Sequence, residues 1–163
     1  MNTLDSRLSF AIQLRENQKH EEARALLLQL HSEFPEDAQV NFQCAWIHDL
    51  LGLEREAIPF YERAVQAGVS GEDLQGALLG MGSTYRCIGE YQEARETFER
   101  ALELFPENNE YKVFLAMTLH NLKDHTKAME LLLTSLLDTT KDDGILGYER
   151  ALRFYADKLD ETW

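Results

Sequence analysis

Residues Gly89–Asn109 read "GEYQEARETFERALELFPENN", and in them Ala94, Phe98, Ala101 and Pro106 stand at separations of four, three and five. Positions i, i+4 and i+7 share one face of a helix at 3.6 residues per turn. A small residue at the first lets another helix come close, and the large residue at i+4 fills the space beyond it. Proline then ends the run, because the residue before it is biased away from helical geometry.

The same spacing recurs. "HEEARALLLQLHSEFPED" from His20, "EREAIPFYERAVQAGVS" from Glu54 and "HTKAMELLLTSLLDTTKD" from His125 align with it without gaps, placing Ala23, Ala57, Ala94 and Ala128 at one position, at intervals of 34, 37 and 34. Leu27, Tyr61, Phe98 and Leu132 follow four places later, then Leu30, Ala64, Ala101 and Ser135, then Pro35, Val69, Pro106 and Thr140. Upstream of each Ala lies a second amphipathic stretch, such as "LLGMGSTYRCIG", closed by Gly89 or Gly52, residues suited to a helix C-terminus. Each unit therefore reads as a helix A, a tight turn and a helix B, over about 4–37, 38–74, 75–108 and 109–142.

These residues resemble the tetratricopeptide repeat, whose pattern runs W-x2-L-G-x2-Y, then A-x3-F, then P. The third unit matches best, with Leu78, Met81, Gly82 and Tyr85, then Gly89, Ala94, Phe98, Ala101 and Pro106. The first unit departs from it with Arg7 and Ala11 at the Trp and Gly sites, the second with Asn41 and His48 at the Trp and Tyr sites, and the fourth lacks the closing Pro. The continuation "FLAMTLHNL" and three extra residues in "AGVSGEDLQGALLGMGSTYR" look like the small bacterial proteins of tetratrico peptide repeat group 5. The resemblance implies one all-α domain over 1–163, a right-handed superhelix of four antiparallel helix pairs. Ser70 with Asp73 reads as a helix start, which makes the insertion a longer turn between units two and three, and a hinge. After Asp143, Tyr148, Ala151, Leu152, Tyr155 and Leu159 predict one further helix, about 145–160, that caps the array, or alternatively docks another protein.

Composition narrows the functional classes. Hydrophobic residues make up 44% and charged residues 28% of 163, a globular balance. "MNTLDSRLSFAIQLRE" carries charge where a secretory leader needs an apolar stretch, and Cys44 and Cys87 make no disulfide framework, so a cytoplasmic location is expected. Sixteen Lys and Arg against 29 Asp and Glu leave a formal charge of −13, which repels phosphate backbones and anionic headgroups. No unit is a basic island. Nucleic acid and membrane are therefore not expected as partners.

Catalytic and metal chemistry find little support. "GMGSTY" has no preceding strand and no following Lys, so it is no phosphate loop. His120 and His125 are five apart across a predicted turn, which one helical face cannot present to a single metal, and they read as solvent histidines. Nothing gathers a thiol, a base and an orienting group. The expectation is a protein that is not an enzyme and uses no cofactor or metal.

A binding face remains. In the repeat family the concave side is lined from the fifth, ninth and thirteenth positions of each unit. Those positions here are Leu8, Ile12 and Glu16; Phe42, Trp46 and Leu50; Leu79, Ser83 and Cys87; and Val113, Met117 and Asn121. Arg15, Asp49, Arg86 and His120 flank them as polar selectors. The family's carboxylate clamp for chaperone tails needs Lys and Asn on the first helix A and Lys and Arg on the third, where Leu8, Ile12, Leu79 and Ser83 stand. Phe42, Trp46 and Leu50 add a second apolar stripe to Val40, Cys44, Ile47 and Leu51, leaving helix A of unit two apolar nearly all round. Such a helix is buried on both sides, by neighbouring helices or by something that docks. The expected function is a protein-interaction module for an apolar or amphipathic peptide; the alternative is a self-assembling scaffold closed by a second copy of the chain.

Overall fold

A computed structural model describes residues 3–163, and among them there are ten helices and no strand. In chain order they are α1 (Thr3–Glu16), α2 (His20–Glu33), α3 (Ala38–Leu50), α4 (Glu54–Gln66), α5 (Gly71–Cys87), α6 (Tyr91–Leu104), α7 (Asn109–Asn121), α8 (His125–Thr139), α9 (Asp143–Leu146) and α10 (Glu149–Tyr155). The predicted alternation of A and B helices is present through α8, and the fold is all-α. The chain divides into two compact units, one ending at Gly89 and one beginning at Glu90.

In the first unit each helix packs on the next, and helix A also meets helix A, α1 on α3 and α3 on α5. Ala11, Leu14, Ala23, Leu27, Leu30, Val40, Cys44 and Ile47 form its core, with Leu8 packed against them. Three of the departures from the repeat pattern make contacts of their own. Arg7 holds Glu33 of α2 through two hydrogen bonds of 2.6 and 2.8 Å. Buried Asn41 donates to the Pro35 and Asp37 carbonyls, both at 2.8 Å, and so pins the turn into α3. His48 lies 2.6 Å from the Cys44 carbonyl through Nδ1, accepts from Arg24 at 3.4 Å through Nε2, and stacks on Phe60.

In the second unit α6 packs on α7, α7 on α8, and α8 on α10. Ala94, Phe98, Ala101 and Tyr111 are fully buried, and Phe98 faces both Tyr111 and Phe114. Helices α2 and α6 stop at Glu33 and Leu104, ahead of Pro35 and Pro106, as the proline bias requires.

Turns from helix A to helix B need one residue with positive φ. Gly52 (70°) and Gly89 (88°) supply it, as expected, while Gln18 (61°) and Lys123 (69°) do so elsewhere despite their side chains.

Two expectations are corrected. The three-residue insertion does not lengthen a turn: four residues, 67–70, join α4 to α5, as 34–37 join α2 to α3. The extra residues instead extend α5 to 17 residues against 13 in α3 and α7. The single helix expected at about 145–160 is two short ones. Asp142 accepts from the Ile145 amide and starts α9 early, and the chain leaves helical geometry at Tyr148. Of the five apolar residues expected to pack, Ala151 and Leu152 are half-buried; Tyr148 is 71% exposed, and Tyr155 and Leu159 are also exposed.

Candidate functional site

On α3, Val40 to Ala45, Ile47 and His48 are all buried, yet Trp46 keeps 38% and Leu50 47% of its surface exposed. Trp46 lies beside Arg15 of α1. Leu8, Ile12, Leu79 and Ser83 are half-buried.

Phe42 is corrected as a groove residue. It is 2% exposed and lies against α5, where Gly76 leaves room: a Cβ there would stand 3.1 Å from the ring. Arg15 is also corrected from a free selector to a structural group. It is buried, its guanidinium lies 3.6 Å over the Trp46 ring, and Nη1 donates to Gln43 at 2.6 Å. Burial lowers its pKa, opposed by the nearby Glu16, Asp73 and Tyr61. One face of Trp46 is thus already covered.

Asp49 is likewise engaged. Tyr61 Oη donates to it at 2.6 Å, and Thr84 Oγ1 lies 2.8 Å from each of its carboxylate oxygens and 2.7 Å from the Gly80 carbonyl. Burial raises the Asp49 pKa, and the hydrogen bonds from Tyr61 and Thr84 oppose the rise. Burial first, then the Asp49 charge, push the Tyr61 hydroxyl far up, so it stays a donor. The ring reaches Asp49 across Gly80, where an added Cβ would fall 2.2 Å from Tyr61 Oη. This network links α3, α4 and α5. The repeat spacing marked Tyr61 only as a packing residue and did not mark Gly80, since the pairing joins residues of three helices.

Arg86 is half-buried, and its Nε has no hydrogen-bond partner. Cys87 is exposed and Cys44 buried, as their positions predicted; burial pushes the Cys44 thiol up to about 12. In the second unit, α7 exposes Val113, Met117 and His120.

The two histidines of the second unit are exposed, as expected, but stand together. His120 is in the last turn of α7 and His125 opens α8, and their Nδ1 atoms stand 3.2 Å apart. Among the described residues there is no group of three or more His, Cys, Asp or Glu placed to hold a metal, and no helix long and apolar enough to cross a membrane.

Known proteins with this arrangement are repeat proteins. MamA, in a crystal structure, superposes at a TM-score of 0.75 with 18% identity, over 96% of this chain and 87% of that one. A tetratricopeptide repeat protein from Parabacteroides merdae ATCC 43184 gives 0.76 with 16% identity, over 94% of this chain and 60% of that one. The Cut9–Hcn1 hetero-tetramer of the APC/C gives 0.75 with 17% identity, over 94% of this chain and 30% of that one. At these identities the likeness is one of fold. No curated protein matches the sequence. The family model of the Tetratrico peptide repeat, TPR_5, matches residues 38–159, most of the chain's length. With its helix pairs, its buried alanines and that match, the chain belongs to the tetratrico peptide repeat family.

Proposed function

We propose that the chain is a non-catalytic protein-interaction module that holds an apolar or amphipathic peptide segment against Trp46 and Leu50. The supporting observation is a helix buried on nearly every side that still exposes these two large side chains. Arg15 fixes the indole from behind, so its free face is offered without a rotamer search, which lowers the entropic cost of binding. A helix segment with apolar residues at i and i+4 suits that stripe. Solved relatives in fold include a subunit within a hetero-tetramer, in keeping with such a role.

The test is peptide selection by display on the wild-type protein, followed by affinity measurement on variants. Trp46→Ala should weaken a selected peptide by about 2 kcal/mol or more, the loss typical of an aromatic anchor. Its cost in fold stability should stay below the roughly 3–5 kcal/mol of a core aromatic truncation, which Phe42→Ala is expected to show. Bound peptide should also shield Cys87 from alkylation. Peptides that bind Trp46→Ala as well as wild type, with Cys87 still reactive, would remove this reading.

Self-assembly is a second reading, favoured by the exposed aromatic residues at the C-terminal end: Tyr148, Phe154, Tyr155 and Trp163, the last 77% exposed. Light scattering at micromolar concentration separates the two, because a monomer leaves only the peptide reading.

A further inference from the structure

We propose that His120 and His125 form a two-imidazole site for a borderline divalent transition metal, of the copper, nickel or zinc class. Tetrahedral coordination with metal–nitrogen bonds of about 2.0–2.1 Å sets two ligating nitrogens about 3.3 Å apart. The two Nδ1 atoms are 3.2 Å apart. Without metal the two nitrogens stand at hydrogen-bond distance, with the ring centroids 4.7 Å apart and the planes at 54°. One ion in place of a shared proton spans the same two nitrogens.

The turn between the helices makes this possible, which a single helix at this spacing cannot. Lys123 takes positive φ, its amide donates to the His120 carbonyl at 3.0 Å, and the Asp124 amide donates to the Leu119 carbonyl at 2.9 Å. The Asp124 carboxylate then caps α8 through the Lys127 amide at 3.3 Å. The backbone that carries both rings is fixed before any metal arrives. Both are exposed, so an ion reaches them without crossing the core.

Ligand chemistry decides the class of ion. Imidazole suits copper, nickel and zinc, whereas calcium and magnesium need oxygen donors, which no cluster supplies at this turn. With two protein ligands, the remaining positions stay open to water or to a donor from another molecule. Binding displaces any proton held on either Nδ1, so both rings coordinate in the neutral form.

Nickel titration of the full chain in a non-coordinating buffer tests the site, in a Cys87→Ser background so that the exposed thiol does not compete. The expected result is one Ni2+ per chain and a higher melting temperature with metal, because the ion binds the folded pair. His120→Ala and His125→Ala should each weaken binding at least about tenfold, since a lone imidazole loses the advantage of an intramolecular second ligand. His20→Ala should not, and Cu2+ should bind tighter than Ni2+. If either alanine variant disturbs the fold, the corresponding Gln variant takes its place. No binding at millimolar Ni2+, or either variant binding within threefold of its parent, overturns the proposal.

Discussion

Asp49 is half-buried, and that burial makes stability depend on pH. Its pKa is raised in the folded state, chiefly by burial. A raised carboxyl contributes stability that is complete below the unfolded value, about 3.9, and that is lost as pH rises through the folded value. Denaturant midpoints measured upward from that pH should therefore fall in wild type relative to Asp49→Asn. A parallel course in the two proteins would mean that Asp49 does not titrate differently on folding. Gly80 bears on the same network. Gly80→Ala drives a Cβ into the Tyr61 hydroxyl, and the ring has to leave Asp49. Overpacking of this kind costs about 1–3 kcal/mol, read as a lower unfolding midpoint. Asp49 was legible only as a polar residue flanking the apolar stripe, and Gly80 was not marked at all. Phe42 and Trp46 also looked alike on one stripe, and only the absence of a side chain at Gly76 sends one inward while Arg15 props the other outward.

Helices were legible because their information is local. The Ala, bulky residue and Pro spacing fixed the B helices, and Ala23, Ala57 and Ala94 are fully buried, Ala128 nearly so. Ala94→Leu should strain the packing around α6 by about 1–3 kcal/mol and lower the melting temperature. Unchanged melting would mean that the register is wrong. Helix lengths were less legible. Ser70 does precede α5, with extended backbone, but its side chain makes no cap hydrogen bond, and the helix gains a turn rather than the loop gaining residues. The histidine turn escaped for a related reason: periodicity describes one helix at a time, and His120 and His125 meet through the geometry between two.

At the scale of the molecule, the C-terminal segment is the part least determined by repetition, since nothing after Asp143 has a counterpart to compare. It is tied to α8 by Arg153 with Asp138 at 3.0 Å and by Thr126 with Asp160 at 2.9 Å. Deleting 146–163 removes those ties and bares the side of α8 that packs on α10, adding to the exposure of Leu132 and Leu136. Aggregation in light scattering is the expected outcome. An equally stable, monodisperse 1–145 fragment would move this segment from cap to docking element.

The longer α5 carries a consequence for how the chain tolerates changes in length. Its extra turn, 71–74, lies at the beginning of the helix, where Asp73 receives a hydrogen bond from Gln39 at 2.7 Å. Residues inserted in the middle of a helix rotate everything after them about the axis, whereas residues added at its start leave the later ones at their old angles. Leu78, Met81 and Thr84 are thus buried where a unit without the insertion would bury them. In genetic terms, an in-frame addition at this point alters length without altering phase, and so can be gained or lost without re-selection of the core behind it.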